Sequence, residues 1–349
     1  MNDVSPPLSD AGKSDFGGLS IAVVIPCLDE EVAIARVVDD FRAVLPTARI
    51  HVYDNASTDG TAEAADKAGA LLGSEPVRGK GNVVRRMFGD IDADVFVLVD
   101  GDGTYPADHA PRMIATLIDG HMDMVGGARV PTLKTAFRPG HRIGNLLITF
   151  MVGLIFGRRF SDILSGYRIL SRRFVKSFPA LSKGFEIETE IAVHALEMRL
   201  PIAELEIPYF ERPRGSPSKL RTVRDGLSIV KTIFVLIKEE RPLELFFFVS
   251  VLLELTAVIL FWPVLMEYLD TGLVPRLPTA VLSTGLALLG FLSLACGLIL
   301  DTVTLGRREI KRLHYLALPG LPVRRPRCPA DDRQADQEAL EQDTPSANR

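Results

Sequence analysis

The sequence predicts an α/β domain with a mostly parallel mixed sheet and helices on both faces, followed by two transmembrane helices. Short apolar runs typical of buried parallel strands alternate with segments of helical periodicity, which indicates βαβ units. Acidic side chains follow several of these runs, at the sheet edge where open α/β sheets bind ligands. Two long apolar segments near the C-terminal end predict the membrane helices.

The composition narrows the class of protein. The 349 residues carry a formal net charge of -4, which disfavours a nucleic-acid partner. The mean hydropathy of +0.19 is high for a soluble protein and points to membrane segments. Three cysteines without a CxxC pair predict neither a disulfide framework nor a zinc site. The polar N-terminal segment lacks the apolar stretch of a signal peptide, so the first domain is expected to stay in the cytoplasm.

Two carboxylates follow the most apolar of the predicted strands. Val95–Val99 reads as a central buried strand, and Asp100 and Asp102 stand at its carboxyl end with only Gly101 between them. Carboxylates this close repel each other unless a cation lies between them, and their hard oxygens suit Mg²⁺ or Mn²⁺ bound together with substrate phosphates. The alternative is a solvated Asp-Gly turn, because an Asp-x-Asp pair alone is common.

Acidic residues also follow the first two predicted strands. The run Ile21–Pro26 is expected to end at its proline, which cannot donate to a sheet ladder. Asp29 is the predicted N-cap of the next helix, which leaves Glu30 able to reach a ligand. The second strand, Arg49–Asp54, ends in an acid that could accept hydrogen bonds from a ribose or a base. Asp/Asn/Ser turns such as the one over 55–61 also occur for purely local reasons.

Basic residues occur at positions that suit an anionic ligand. Lys80, between two glycines before a predicted helix, could contact phosphate or belong to a solvated loop, and the spacing of a P-loop is missing. Arg129 is expected to leave a strand over 122–125. The basic loop from Arg212 to Arg224 suits a polyanion, with a solvated charge run or anionic lipid as alternatives. The apolar stretch 143–157 is too short to span a bilayer and predicts an interfacial or core helix.

Two segments, Leu245–Met266 and Leu282–Leu300, are each long enough to cross a membrane as a helix. Glu254 inside the first segment would be costly in lipid, so it is expected to face the partner helix or another subunit. Basic residues flank both outer ends of the pair, so the positive-inside rule puts both termini in the cytoplasm. We expect a hairpin that anchors the α/β domain.

Taken together, these segments resemble the family-2 glycosyltransferases with a GT-A fold, and within them the polyprenyl-phosphate sugar synthases of the dolichol-phosphate mannose synthase type. The resemblance extends from about Ser20 to the second membrane segment. It rests on Ile25–Glu31, Tyr53–Thr61, Asp100–Asp102, Ser165–Arg168 and the loop Arg212–Lys219. Each motif is weak alone, but their order and the membrane hairpin that follows make a strong joint signal.

The resemblance implies a role for each matching position. The catalytic set would be Asp100, Asp102, Arg129, Arg212 and Lys219, with Asp100 and Asp102 holding Mg²⁺ or Mn²⁺ on the donor diphosphate. The donor would contact Pro26, Glu30, Asp54, Asn55, Lys80 and Gly101, and the acceptor phosphate would contact Arg142, Ser165 and Arg168. Thr104 stands where the mannose synthases carry a glutamine that can complete the metal shell. The Gln-x-x-Arg-Trp signature of processive synthases is absent from the sequence.

The implied activity is metal-dependent, inverting transfer of a sugar from a UDP- or GDP-linked donor to an undecaprenyl- or dolichyl-type polyprenyl phosphate. A phosphate monoester is already ionised near neutral pH, so this acceptor needs no general base. Transfer to a lipid or glycan hydroxyl is the alternative and would need a base, for which Asp162 and Glu190 are the candidates. A catalytically silent membrane scaffold and a nucleotide sensor are further alternatives.

The expected organisation and location follow from these assignments. The segments are a disordered N-terminus (1–18), a GT-A catalytic domain (19–225), an interfacial helix (226–242), a transmembrane hairpin (243–303) and a basic, then disordered, cytoplasmic tail (304–349). The protein is expected in the inner membrane as a multi-pass protein, with the catalytic domain facing the cytoplasm and the lipid bilayer as a partner. No nucleic-acid partner is expected, and a homo-oligomer is compatible with this arrangement.

Overall fold

One mixed sheet organises the N-terminal two thirds of the protein. The computed structural model describes residues 16–131, 149, 152–153, 160–184, 186–212, 235, 238 and 241–321. Within these ranges the strands are β1 (Ile21–Cys27), β2 (Arg49–Asp54), β3 (Leu71–Ser74), β4 (Val95–Leu98), β5 (Met124–Pro131), β6 (Arg168–Ser171) and β7 (Ile202–Tyr209). Their order across the sheet is β3-β2-β1-β4-β6-β5-β7, and of these strands only β6 runs antiparallel to its neighbours. The predicted mostly parallel mixed sheet is confirmed.

Helices cover both faces of this sheet. They are α1 (Glu31–Val44), α2 (Thr61–Lys67), α3 (Lys80–Asp90), α4 (Ala110–Asp119), α5 (Arg172–Ser177) and α6 (Ile187–Glu197). Alternate residues of β1 enter the two cores: Val23 and Ile25 pack with α1 and α4, whereas Ala22 and Val24 pack with α3 and α6. Strands buried on both faces explain why their sequences are continuously apolar rather than alternating.

One edge of the sheet gathers the loops that carry the candidate site residues. The parallel strands β1, β2 and β4 end there, and the antiparallel strand β6 begins there. β5 and β7 also end on this side, because they run antiparallel to β6 and parallel to each other. We call this the catalytic edge, and the opposite side the far edge. The topology therefore brings together segments that are up to about 180 residues apart in the sequence.

Several local expectations were wrong in instructive ways. No sequence pattern predicts β3 or β6, and β5 is longer than the predicted 122–125, so Arg129 lies within a strand. Pro26 lies inside β1 rather than ending it. Its nitrogen faces the β4 side, where the pairing has already ended at Val24, so no ladder bond is lost.

The predicted N-cap of α1 is replaced by bonds between two neighbouring loops. Asp29 has a positive φ of 49°, and its Oδ1 accepts from the backbone N–H of Thr58 at 2.7 Å. The first N–H of α1, that of Glu31, donates instead to Asp59 Oδ2 at 3.2 Å. In return, the Glu31 side chain accepts from the Gly60 N–H at 3.0 Å. The loops after β1 and β2 therefore fix each other at the catalytic edge.

The C-terminal part forms the predicted helical hairpin. Its helices are α7 (Pro242–Thr271) and α8 (Leu277–Ala317), and both are long and apolar enough to cross a membrane. The residues buried between them recur every seven positions, at Ser250, Ala257 and Val264 on α7 and at Ser283, Gly290, Gly297 and Thr304 on α8. Small side chains at this spacing let the two backbones approach closely. A Cβ at Gly290 would lie 2.6 Å from Glu254 Oε1, so Glu254 faces the partner helix as expected.

The second helix does not end at residue 303, where the predicted hairpin gives way to a tail. α8 continues to Ala317 and docks on the far edge of the sheet. Lys311 Nζ lies 2.7 Å from the Glu197 carboxylate, whose side chain is 3% exposed. A buried carboxylate needs a charged partner, which explains why this basic segment is ordered against the domain. The predicted interfacial helix and the ends predicted to be disordered lie largely outside the described residues.

Candidate active site

The carboxylates of Asp100 and Asp102 lie where β4 ends and are each paired with a basic side chain. Lys80 Nζ lies 2.5 Å from Asp100 Oδ1, and an Arg212 guanidinium nitrogen lies 2.7 Å from Asp102 Oδ2. The same arginine is 3.6 Å from Glu30 Oε1. Lys80 comes from the start of α3 and Arg212 from the loop after β7, so three strand ends meet here.

Asp102 is held from two sides. Its residue is 3% exposed, and its Oδ1 accepts from the N–H of Thr104 at 3.1 Å and from the Thr104 hydroxyl at 2.6 Å. Thr104, at the position where the family can carry a metal-binding glutamine, therefore fixes the orientation of Asp102. The other oxygen of Asp102 faces Arg212. The orientation of this carboxylate is therefore fixed, and its negative charge is paired with the guanidinium.

Lys80 lies between two carboxylates. Its Nζ is 2.5 Å from Glu188 Oε1 as well as from Asp100, and its side chain is 9% exposed. Burial by itself lowers the pKa of Lys80, but the two carboxylates outweigh burial and hold that pKa well above its ordinary value. Burial raises the pKa of Glu188 against the opposing charge of Lys80. Lys80 is therefore a permanent cation with two acidic partners.

The glycines around Lys80 serve packing. A Cβ at Gly79 or at Gly81 would collide with backbone carbonyls of residues 182–183, and the Gly81 N–H donates to Gly184 O at 3.1 Å. Gly79 also has a φ of 136°, which L side chains rarely adopt. The loop before α6 thus covers the start of α3. The two glycines therefore permit a close contact between two protein segments, and the phosphate contact considered for this loop stays a prediction.

The segment before β6 packs directly on Asp100. A Cβ at Gly166 would overlap the Asp100 carboxylate, so only glycine permits this approach. The Gly166 N–H donates to the Tyr105 hydroxyl at 2.9 Å. The ring of Tyr105 in turn contacts the rings of Tyr167 and Tyr209, with centroids 5.6 and 5.3 Å apart. A cluster of edge-to-face tyrosine rings therefore packs against the segment that confines Asp100.

Arg129 is fixed by a bidentate ion pair. Its Nε and one terminal nitrogen lie 2.6 and 2.8 Å from the two carboxylate oxygens of Asp162, with side chains 13% and 7% exposed. The guanidinium also lies over the ring of Tyr209, 5.3 Å from its centroid. Paired and stacked in this way, Arg129 has a fixed direction at the catalytic edge.

Other predicted residues have structural partners that account for them. The side-chain amide of Asn55 donates to Glu75 O and Val77 O, and its Oδ1 accepts from the Gly79 N–H at 2.6 Å. Gly101 is buried, and it packs so closely on Cys27 that an added Cβ would lie 2.5 Å from Cys27 Sγ. Asn55 and Gly101 thus contribute to loop structure, and their contacts with the donor stay a prediction.

Two of the residues predicted to contact the acceptor phosphate also have partners within the protein. Arg168 is 3% exposed, and its guanidinium donates to the backbone carbonyls of Ile163 and Ser165. Burial lowers the pKa of Arg168. Ser165 is 1% exposed, and its hydroxyl accepts from the Tyr167 N–H at 3.3 Å. These two residues hold the segment before β6 in place, and their contacts with the acceptor phosphate stay a prediction.

The remaining predicted residues divide by position. Pro26, Glu30 and Asp54 lie at the catalytic edge, at or just after the ends of β1 and β2. Lys219 and Arg142 lie outside the described residues. Glu188, Tyr105 and Tyr209 also lie at the site, and no sequence motif identifies them; the spacing Glu186-Ile-Glu188 at a helix start is the one visible signal for Glu188.

The carboxylate oxygens of the two aspartates fit a divalent metal ion whose remaining ligands are oxygens of substrate phosphate or water. Asp100 and Asp102 supply hard carboxylate oxygens, as Mg²⁺ and Mn²⁺ prefer. Among the described residues, no group of three or more His, Cys, Asp or Glu could hold a metal ion by itself. The two aspartates would thus need phosphate or water oxygens as further ligands, which is the usual arrangement for Mg²⁺ at phosphates.

Comparison with known proteins agrees with this geometry. The family model described as glycosyl transferase family 2 matches residues 22–178. The glycosyltransferase AglJ of Haloferax volcanii is 32% identical over 299 residues, covering 85% of this chain and 98% of the relative. The chain therefore belongs to glycosyl transferase family 2, and it is a glycosyltransferase.

Further relatives share the domain or the fold. A dolichyl-phosphate hexose transferase of Haloferax volcanii is 28% identical over 221 residues, covering 63% of this chain and 95% of that protein. The glucosyl-3-phosphoglycerate synthase of Mycobacterium tuberculosis, solved with Mn²⁺, UDP and glucosyl-3-phosphoglycerate, superposes with a TM-score of 0.52 at 22% identity. That superposition covers 68% of this chain and 85% of the synthase. The structural similarity confirms the predicted GT-A fold.

Proposed function

We propose that this glycosyltransferase moves a sugar from a UDP- or GDP-linked donor to the phosphate of a polyprenyl phosphate. The observation that carries the proposal is the pairing of two strand-end aspartates with basic side chains, in a chain that also carries a membrane-length hairpin. A relative named dolichyl-phosphate hexose transferase supports a lipid-phosphate acceptor. Neighbouring structures with Mn²⁺ and UDP support a nucleotide-sugar donor and a divalent ion.

The chemistry needs little proton transfer. A phosphate oxygen of the acceptor forms a bond to the anomeric carbon while the bond from that carbon to the donor diphosphate breaks. The bonding electron pair leaves with the nucleoside diphosphate, and attack from the opposite side inverts the anomeric centre. The acceptor phosphate is already ionised near neutral pH, so no general base is required.

The carboxylates that could have served a hydroxyl acceptor are engaged elsewhere. Asp162 holds Arg129 in a bidentate ion pair. Glu190 accepts from the backbone N–H groups of Leu181 and Ser182, both at 2.8 Å. Their engagement supports a phosphate acceptor over a lipid or glycan hydroxyl.

The chain's own residues would bring two anions together and stabilise the leaving group. Arg129 and Arg212 would bind phosphate oxygens at the catalytic edge, and arginine does this with directed, bidentate bonds. Asp100 and Asp102 would hold Mg²⁺ or Mn²⁺, which would neutralise charge on the departing diphosphate. Pro26, Glu30 and Asp54 would line the nucleotide pocket. We further propose that Lys219 and Arg142 complete the catalytic and acceptor sets.

The membrane hairpin would keep the site near the lipid headgroups, where the acceptor's phosphate lies. We propose that the protein is a multi-pass inner-membrane enzyme whose catalytic domain faces the cytoplasm. Basic residues at the outer ends of the hairpin, including Arg241 and Arg307, support this orientation under the positive-inside rule.

A transfer assay tests the proposal. Membranes containing the protein are given polyprenyl phosphate, Mg²⁺ or Mn²⁺ and a panel of labelled UDP- and GDP-sugars, and organic-soluble label is counted. We expect one donor to give a lipid-linked sugar. Donor binding without a lipid product would favour a hydroxyl acceptor. If the protein binds none of the donors, a silent membrane scaffold would be favoured.

A further inference from the structure

Glu188 belongs to no predicted part of the site, yet it reaches the metal-binding candidates through Lys80. It lies on α6, 108 residues along the chain from Lys80, and its Oε1 is 2.5 Å from Lys80 Nζ. Its side chain is 11% exposed, and Lys80 touches Asp100 at the same distance on the other side. The three side chains form a buried row of acid, base and acid.

The protein around this row is built to keep Glu188 in place. Glu190, two residues further along α6, fixes the loop before the helix by accepting two backbone N–H bonds. That loop covers the start of α3 through the contact of Gly81 with Gly184. Lys80 is thus held between two packed elements, and its long side chain has little freedom to leave Glu188.

The second oxygen of Asp100 is also confined, because the Gly166 backbone lies against the carboxylate. Lys80 on one side and Gly166 on the other therefore determine how Asp100 presents its oxygens. If Asp100 turned from Lys80 to a metal ion, a lysine with no other partner would be left as an unpaired buried cation. Glu188 removes that penalty, because it keeps Lys80 paired throughout.

We propose that Glu188 is a positioning residue that acts only through Lys80, holding the ammonium group so that Asp100 can exchange it for a divalent metal. This inference rests on the proposed function, in which Asp100 binds that metal. With Glu188 present, the lysine stays beside the site and can face the diphosphate. Without the Glu188 carboxylate, Asp100 is the acidic partner left to Lys80 in this row. Lys80 would then compete with the metal for Asp100.

The test is a Mn²⁺ titration of the full-length protein in detergent micelles, with free Mn²⁺ measured by electron paramagnetic resonance. UDP and GDP are each used as the nucleotide, and only the nucleotide-dependent site is counted. We expect Glu188→Gln to weaken Mn²⁺ binding by about tenfold or more, the range found for outer partners of metal ligands. Glu186→Gln, two residues earlier at the start of the same helix, should bind like the wild type.

A double-variant cycle separates positioning from general damage. If Glu188 acts through Lys80, the variant with both Lys80→Met and Glu188→Gln should bind Mn²⁺ no more weakly than Lys80→Met alone. Glu188→Asp keeps the charge and should recover part of the affinity, which gives a second measurement if Glu188→Gln does not fold. Wild-type affinity in Glu188→Gln, additive losses in the double variant, or no recovery in Glu188→Asp would overturn the proposal.

The titration uses no acceptor lipid, so its outcome is separate from that of the transfer assay. A wild-type protein that binds Mn²⁺ with a nucleotide but transfers no sugar to polyprenyl phosphate would overturn the proposed acceptor and leave the role of Glu188 measurable. A wild-type protein that binds no Mn²⁺ with either nucleotide would overturn both.

Discussion

Tyr315 joins the C-terminal end of α8 to the far edge of the sheet, and Tyr315→Phe tests how firmly the hairpin is attached. Its hydroxyl donates to Asp123 Oδ2 at 2.7 Å and accepts from Arg173 at 3.3 Å. Asp123 is 7% exposed, and its other oxygen accepts from the Ser171 hydroxyl at 2.6 Å. Phenylalanine would keep the ring beneath the Arg173 guanidinium and remove only the hydrogen bonds.

The expected loss follows from the charge and burial of Asp123. A hydrogen bond to a charged group contributes about 1.5–3 kcal/mol. Tyr315 is itself only partly buried, so water can replace some of this bond, and we expect a loss of about 1.5–2 kcal/mol. Each 1.4 kcal/mol or so changes an equilibrium tenfold, so the undocked population of the α8 end should rise about tenfold to thirtyfold.

Amide hydrogen exchange of peptides covering residues 305–321 measures this population directly, because exchange of docked amides follows local opening. Tyr315→Phe should speed exchange there by about tenfold to thirtyfold. Tyr268→Phe, at the 49%-exposed tyrosine near the end of α7, is the matched control and should leave exchange unchanged. Unchanged exchange in Tyr315→Phe, or an equal increase in both variants, would refute the docking argument.

Three further predictions concern the site and the core. Asp102→Asn should abolish transfer while the thermal midpoint stays close to that of the wild type, and transfer that persists after metal chelation would contradict the metal role. Gly166→Ala should abolish transfer because its Cβ would overlap Asp100, whereas Gly89→Ala, where a Cβ would meet nothing within 4 Å, should leave transfer intact. Burial lowers the pKa of His194 to about 3, and its ring nitrogens meet no hydrogen-bond partner among the described residues. The unfolded chain therefore binds this proton below about pH 6.5 while the folded protein does not, so the free energy of unfolding should fall by up to about 1.4 kcal/mol per pH unit from 6.5 towards 3. Denaturant titrations of wild type and His194→Leu should show the stability difference shift in favour of the variant as pH falls, and a difference independent of pH would contradict the assignment.

The sequence was sufficient for the sheet's centre and for the membrane hairpin. β1 and β4 are short apolar runs, and their burial on both faces leaves a clear pattern. The hairpin was equally visible because long apolar segments have few alternatives to a membrane helix. These are properties of single segments, which a sequence displays without knowledge of its partners.

Features that depend on distant partners were not visible. β6 has four residues, and its place between β4 and β5 depends on pairings with segments more than 40 residues away. Glu188 looked like an ordinary acid in the first turn of a helix, since its partner Lys80 is 108 residues away. Asn55 and Arg168 match family motifs, but only their hydrogen bonds reveal that they hold loops in place.

The charge pairs at the catalytic edge also imply that the metal ion and the nucleotide promote each other's binding. Lys80 and Arg212 already neutralise Asp100 and Asp102, so a lone metal ion must displace a cation, and a lone diphosphate must draw a cation from its carboxylate. A metal ion bound to a diphosphate brings a positive and a negative charge together. Each aspartate can then exchange its basic partner for the metal, and the basic side chain can turn to the diphosphate. The diphosphate can receive the cations that the metal displaces from the two aspartates, so Mn²⁺ and nucleotide should bind cooperatively. Calorimetric titration of Mn²⁺ with and without UDP or GDP measures this coupling, and equal Mn²⁺ affinity in all three titrations would show that the charge pairs do not resist either ligand alone.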